Sequence, residues 1–132
     1  MKGFISAVVL LLLVVLCIVI NSIAVGQIFS DISELLRDLP SDVQTISTCD
    51  ENQKALYSQK LEYICKEWGS KKKIIALSTP HDEADKFTTP IIEAKEYFKG
   101  KDYISYLAYL ANAKEALKHL SDAERLNLDN IT

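Results

Sequence analysis

The two histidines of this chain each have a carboxylate four residues away: His81 with Asp85, and His119 with Glu115. An i,i+4 spacing puts both members of a pair on one side of a helix. His81 lies 19 residues before Gly100 and His119 lies 19 after it, so a helical hairpin turning at Gly100 would bring the pairs level. Two imidazoles facing two carboxylates would suit a transition metal. The helical phase opposes that convergence. At about 100° per residue, Asp85 falls well off the apolar stripe of its segment, and His119 falls opposite Leu110, Leu117 and Leu120. Capping of a helix N-terminus is the plainer role for His81 and Asp82. A metal protein or enzyme using His81, Asp85, Glu115 and His119 stays an alternative, and no catalytic residue, metal or cofactor is assigned.

Two other clusters could make contacts instead of reactions. Lys71, Lys72 and Lys73 form the only compact basic run. At a membrane surface such a run meets anionic lipid at about 1 kcal/mol per lysine; elsewhere it is a solvated face. Tyr97, Tyr103, Tyr106 and Tyr109 gather around one turn. Tyrosine serves equally as a recognition surface, since it buries area and keeps a polar tip, and as the edge of a core. The sequence contains no phosphate-cradling glycine loop, no His-Glu-x-x-His pair and no Gly-x-Ser-x-Gly elbow. A non-enzyme is the expectation.

What positions these groups begins at the N-terminus. From Gly3 to Ser30 there is no charged residue, and Phe4–Ile20 is almost unbroken Val, Leu and Ile. As a helix, Phe4 to Val25 would reach about 33 Å, enough for a hydrocarbon core of about 30 Å. Residues 1–26 are therefore expected to be an uncleaved signal-anchor and 27–132 a separate helical domain. The alternative is a secreted factor, cleaved near Ala24 or Gly26 after the small-x-small triplets there. Lys2 precedes the run, while Asp31, Glu34, Arg37 and Asp38 follow it. Positive charge stays inside, so the N-terminus is expected to be cytoplasmic and the domain extracytoplasmic. Only Met1, Lys2 and Gly3 would then face the cytoplasm, too little to relay a signal inward. Without Lys2 there are 14 basic against 18 acidic residues, a net charge of −4. The signs are interspersed, which argues against a nucleic-acid partner.

The remainder reads as helices at about 27–39, 50–77, 80–99 and 102–120. Ile28, Phe29, Ile32, Leu35, Leu36 and Leu39 carry the membrane helix outward until Pro40 ends it. Thr48-Cys49-Asp50-Glu51 has the form of a capping box. Tyr57, Leu61, Ile64, Cys65, Trp68 and Ile75 make the next stripe, with Gly69 inside it at a cost of about 1 kcal/mol. Thr79 caps and Pro80 opens the third helix. Its stripe is Ala84, Phe87, Ile91, Ala94 and Phe98, and Pro90 should kink or restart it. Gly100 closes it and Asp102 caps the last helix, which carries Ile104, Leu107, Leu110, Leu117 and Leu120. The tail Arg125–Thr132 is expected to be extended or frayed. Cys49 and Cys65 would sit about 24 Å apart along one helix, too far for the disulfide limit of about 7 Å. An intermolecular bond between copies is left open.

These residues resemble a known family. Trp68, Lys72-Lys73, Leu77 and His81-Asp82-Glu83-x-Asp85 are similar to the pattern of the domain-of-unknown-function family DUF4363. So are Tyr97, Asp102, Ala108, Leu110, Leu117-Lys118-His119, Glu124 and Asn130-Ile131. The resemblance covers nearly the whole chain, most specifically 68–131. It implies a short bacterial protein with one N-terminal membrane helix and a helical remainder, and no known activity. Asn130-Ile131-Thr132 has the form of a glycosylation sequon, which carries no weight in a bacterium. The expected architecture is all-α: a single transmembrane helix continuing into a small extracytoplasmic bundle of three or four helices. Its expected partners are the lipid bilayer, an envelope protein and, as one option, a second copy of itself.

Overall fold

The apolar run forms one helix, and that helix does not stop where the run ends. In the computed structural model, which describes residues 1–131, α1 (Lys2–Arg37) is unbroken over 36 residues, about 54 Å. From Gly3 to Ile20 it buries no side chain. From Ser22 onward Val25, Phe29, Ile32 and Leu36 recur every three or four residues and enter a core. Burial thus starts four residues before the boundary expected at 26. It leaves the 18 residues Gly3–Ile20, about 27 Å of helix, with none buried.

Four more helices follow, and no strand occurs among the described residues. They are α2 (Val43–Thr48), α3 (Glu51–Ile75), α4 (His81–Lys99) and α5 (Tyr103–Ile131). The all-α expectation holds. α1 packs on α3 and α5, α3 on α4, and α4 on α5, so the four long helices close a ring. Cross-helix contacts fix the directions. Trp68 meets Thr88 and Glu62 meets Lys99, so α3 and α4 are antiparallel. Ser22 meets Glu124 and Pro40 meets Tyr106, so α1 and α5 are antiparallel too. The result is an up-down-up-down bundle standing on the free half of α1.

Its core is built from the expected stripes, with one phase error. Ala84, Phe87, Ile91, Ala94 and Phe98 are all buried. Trp68 lies at the centre, 4.5 Å from the Phe87 ring and 6.1 Å from Phe29. Its Nε1–H donates to Thr88 Oγ1 at 2.7 Å, and that hydroxyl donates to the Ala84 carbonyl at 3.1 Å. On α5 the buried face is Tyr106, Leu110, Ala113, Leu117, Leu120 and Glu124. Ile104, expected inside, is 77% exposed.

The caps differ from expectation in instructive ways. α3 opens on Asp50, not Thr48: the Asp50 carboxylate accepts from Gln53 N–H, and the Gln53 side chain accepts from Asp50 N–H. The reciprocal box is present, shifted by two residues, because Thr48 ends the short α2 whose cap is Asp42. Thr79 does not cap α4; Pro80 occupies the cap position and its carbonyl accepts from Ala84 N–H. Pro90 neither stops nor restarts α4, which runs continuously through it. Asp102 does cap α5, accepting from Ser105 N–H at 3.1 Å. The tail is not extended: α5 runs to Ile131. The Asn130-Ile131-Thr132 sequon reaches Thr132, which lies outside the described residues.

Candidate functional site

Two buried polar side chains, Ser22 and Glu124, meet at the junction between the free half of α1 and the bundle. Because α1 and α5 are antiparallel, the last turns of α5 run back along α1 to Cys17–Ser22. The loop after α3 arrives at the same level, so Leu77 and Ser78 join them. A cavity of 560 Å³ opens here. Its polar wall is Asn21, Ser22, Ser78, Glu124, Asn127 and Asn130; Cys17, Ile18 and Leu77 form its apolar side.

Glu124 and Ser22 hold this junction together. They are 4% and 5% exposed, and Ser22 Oγ donates to Glu124 Oε1 at 2.5 Å across 102 residues of sequence. A buried carboxyl requires such partners, since an unpaired one is costly to desolvate. Ser78 Oγ is buried with no hydrogen-bond partner. Unpaired buried hydroxyls are uncommon in folded proteins, and Ser78 borders the same cavity. None of Asn21, Ser22, Ser78, Glu124 and Asn127 was singled out from the sequence as a site residue. The signal for Glu124 was available: it continues the three-and-four spacing of Leu110, Leu117 and Leu120 as a carboxylate on a core stripe.

Two grooves flank α1 above this junction. The α1–α3 groove, 380 Å³, is lined by Asp31, Glu34, Asp38 and Glu67 with Tyr63 and Lys71. The α1–α5 groove, 570 Å³, shares Ser22 and Glu124 with the junction and mixes Arg37, Lys114, Lys118 and Arg125 with Glu34 and Asp122. The lysine run is therefore divided. Lys71 turns into the acidic groove, Lys72 is half-buried, and Lys73 is exposed. Lys72 and Lys73 lie in the last turn of α3, where cations complement the helix dipole. That turn is on the junction end of the bundle.

The other sequence candidates separate. His119 and Glu115 are 3.8 Å apart and both exposed. His81 and Asp85 are exposed on the first turns of α4. Among the described residues no three His, Cys, Asp or Glu side chains group to hold a metal ion. The four-residue set thus does not form one centre, because each pair lies on an outward face. Tyr106 is not a surface residue: it is fully buried and its hydroxyl donates to the Pro40 carbonyl at 2.9 Å. Tyr97 and Tyr109 stack at 5.3 Å, and Tyr103 meets Phe98 edge-on at 5.2 Å, all half-buried at the core's edge. The Tyr109 neighbour, then burial, holds the Tyr97 hydroxyl above its usual range. All three cysteines are free thiols; Cys65 packs against α4, and burial pushes its thiol up.

Comparison with known proteins gives a family match. The family model for DUF4363, a domain of unknown function, matches residues 27–131. The chain belongs to that family. The match starts at Gln27, inside the packed part of α1, and leaves the free apolar half outside it. Neither a curated protein nor a solved structure matches the chain.

Proposed function

We propose that this DUF4363 protein is a single-pass membrane-anchored module whose bundle stands on the extracytoplasmic face of a bacterial membrane. It works there by contact with lipid and protein, not by catalysis. The observation that carries the reading is the unbroken α1. Its first half presents apolar side chains all round, as a lipid-facing helix does. Its second half supplies the core of the bundle. One rigid element thus both tethers and orients the domain. Lys2 before the span and Asp31, Glu34 and Asp38 after it support an N-terminus facing the cytoplasm. Lys72 and Lys73, at the junction end, are placed to meet anionic headgroups. The acidic α1–α3 groove, with exposed Tyr63 on its rim, suits a basic segment of an envelope protein.

The secreted alternative fits the packing less well. Cleavage near Ala24 or Gly26 would remove Ser22, the partner of Glu124, and near Gly26 also the fully buried Val25. The test is intact-mass measurement on the chain recovered from carbonate-washed membranes, with protease added to whole spheroplasts. A full-length mass in the pellet and digestion of the bundle from outside are expected. A chain starting near Val25 or Gln27 in the soluble fraction would overturn the anchor. Protection of the bundle in intact spheroplasts would overturn the orientation.

A further inference from the structure

The cavity at the span–bundle junction has a chemistry of its own. Glu124 is the only charged side chain on its wall among the described residues, and no Lys or Arg of the chain lines it. One carboxyl oxygen takes the Ser22 hydroxyl. Glu124 also borders the α1–α5 groove with its Arg and Lys side chains, but among the described residues no ion pair reaches it, so its charge has no cation partner in the fold. Ser78 Oγ is enclosed behind the wall with no partner. Asn21, Asn127 and Asn130 supply amides that both donate and accept. Ile18 and Leu77, both on the open surface, border the same space. These residues lie where the unburied stretch Gly3–Ile20 of α1 ends.

We propose that this cavity is a headgroup site for a lipid carrying a primary ammonium, of the phosphatidylethanolamine type. The inference rests on the anchored reading above. The Glu124 carboxylate takes a charge-assisted hydrogen bond from the ammonium, and this supplies the cation that the wall lacks. The asparagine amides donate to the phosphate oxygens. Ile18 and Leu77 lie along the first methylenes of the acyl chains. Three alternatives fit worse. A free anion would meet no basic side chain. A quaternary ammonium has no N–H to give, and the wall has no aromatic ring to cage it. A soluble amine would leave the apolar border in water. At 560 Å³ the space is within the usual range of about 300–1,000 Å³ for small-ligand sites.

The test is native mass spectrometry of the full-length chain in detergent, titrated with phosphatidylethanolamine, phosphatidylcholine and phosphatidylglycerol of identical acyl chains. Wild type should retain the ethanolamine lipid about tenfold more strongly than the choline lipid, the scale of one hydrogen bond to a charged group. E124Q should bring ethanolamine retention down to the choline level while glycerol-lipid retention is unchanged. Gln keeps an acceptor for Ser22. N127K, at an exposed position one turn from Glu124, brings an ammonium of the chain's own to that carboxylate and should likewise remove the ethanolamine preference; it decides alone if E124Q does not fold. Equal retention of the ethanolamine and choline lipids by wild type overturns the proposal. So does an ethanolamine preference that survives N127K. Displacement of the lipid by equimolar phosphoethanolamine would assign the site to a free ligand and overturn it as a lipid site. Failure of the anchor looks different: a chain soluble without detergent that retains none of the three lipids.

Discussion

The turn between α4 and α5 makes a prediction that runs against the sequence. Gly100 is the residue one would assign to the left-handed position that ends a helix. Its φ is −78°, which any residue adopts. The left-handed residue is Lys101, at φ 63°. The hydrogen bonds explain why. Lys101 N–H donates to Phe98 O at 3.1 Å and Asp102 N–H to Tyr97 O at 3.0 Å, the paired bonds of a Schellman turn. That pairing puts the left-handed residue at 101. An L-residue there costs about 1–2 kcal/mol, and a glycine loses about 0.5–1 kcal/mol more chain entropy on folding. Lys101→Gly should therefore stabilise the bundle by about 0.5–1 kcal/mol. At Gly100 an added Cβ would meet Glu96 O at 3.5 Å and Tyr97 O at 3.7 Å, ordinary contacts. Gly100→Ala should gain about 0.4–1 kcal/mol through the unfolded state. The assay is thermal unfolding of the full chain in detergent, followed by the fluorescence of Trp68, the single tryptophan. Each change should raise Tm by about 2–6 °C for a bundle of this size. The two sites adjoin, so their sum is not assumed. A K101G protein no more stable than wild type, together with a G100A protein that loses more than about 1 kcal/mol, would refute the reasoning by placing the left-handed residue at 100.

Two further outcomes follow from the core. Tyr106→Phe strips the buried Pro40 carbonyl of its donor and should cost about 1–3 kcal/mol in urea denaturation. Burial, then the charge of Tyr57, pushes the Tyr106 hydroxyl well above the unfolded value of 10.0. A raised acid favours the protonated fold, so its contribution is complete below about pH 10 and falls as pH rises beyond that; the loss of stability above pH 10 should be shallower in Tyr106→Phe. Thr88→Val keeps the shape of the side chain but leaves the Trp68 N–H unpaired in the core, and should cost about 1–3 kcal/mol by the same titration. A change below about 0.5 kcal/mol would mean that water reaches that indole.

How much could be read from the sequence varied with what each helix packs against. α4 was legible residue by residue because all five of its buried side chains are apolar and evenly stepped. The start of α5 misled by two positions. Ile104 looks like core and Tyr106 like the edge of a core or a recognition surface, but Ile104 is exposed and Tyr106 is fully buried, its hydroxyl satisfied inside by Pro40. The caps slipped because several Thr, Asp and Ser residues stand in a row between 41 and 50, and only the helix boundaries decide which of them caps. The end of α5 was illegible for a stronger reason. After Leu120 its inward residue is Glu124, which reads as solvated until a partner is known.

That partner lies on a segment read as lipid-facing, so the junction could not be seen from either helix alone. Ser22 looks like a small residue inside a span, and Glu124 like a charge on a fraying tail. The register resolves both. Two bonds link the ends of this pairing, Ser22 to Glu124 and Pro40 to Tyr106; they are 18 positions apart along each segment, five turns of α5 at 3.6 residues per turn, with Pro40 three residues past the end of α1. Equal spacing keeps the apolar side chains between them opposed, and it draws α5 down past the bundle's core to the exit of the span. A shorter α5 would leave Ser22, Asn21 and Ser78 without polar company. The tail is thus the element that lets a polar junction sit at the base of an apolar helix, and the cavity is a consequence of that length.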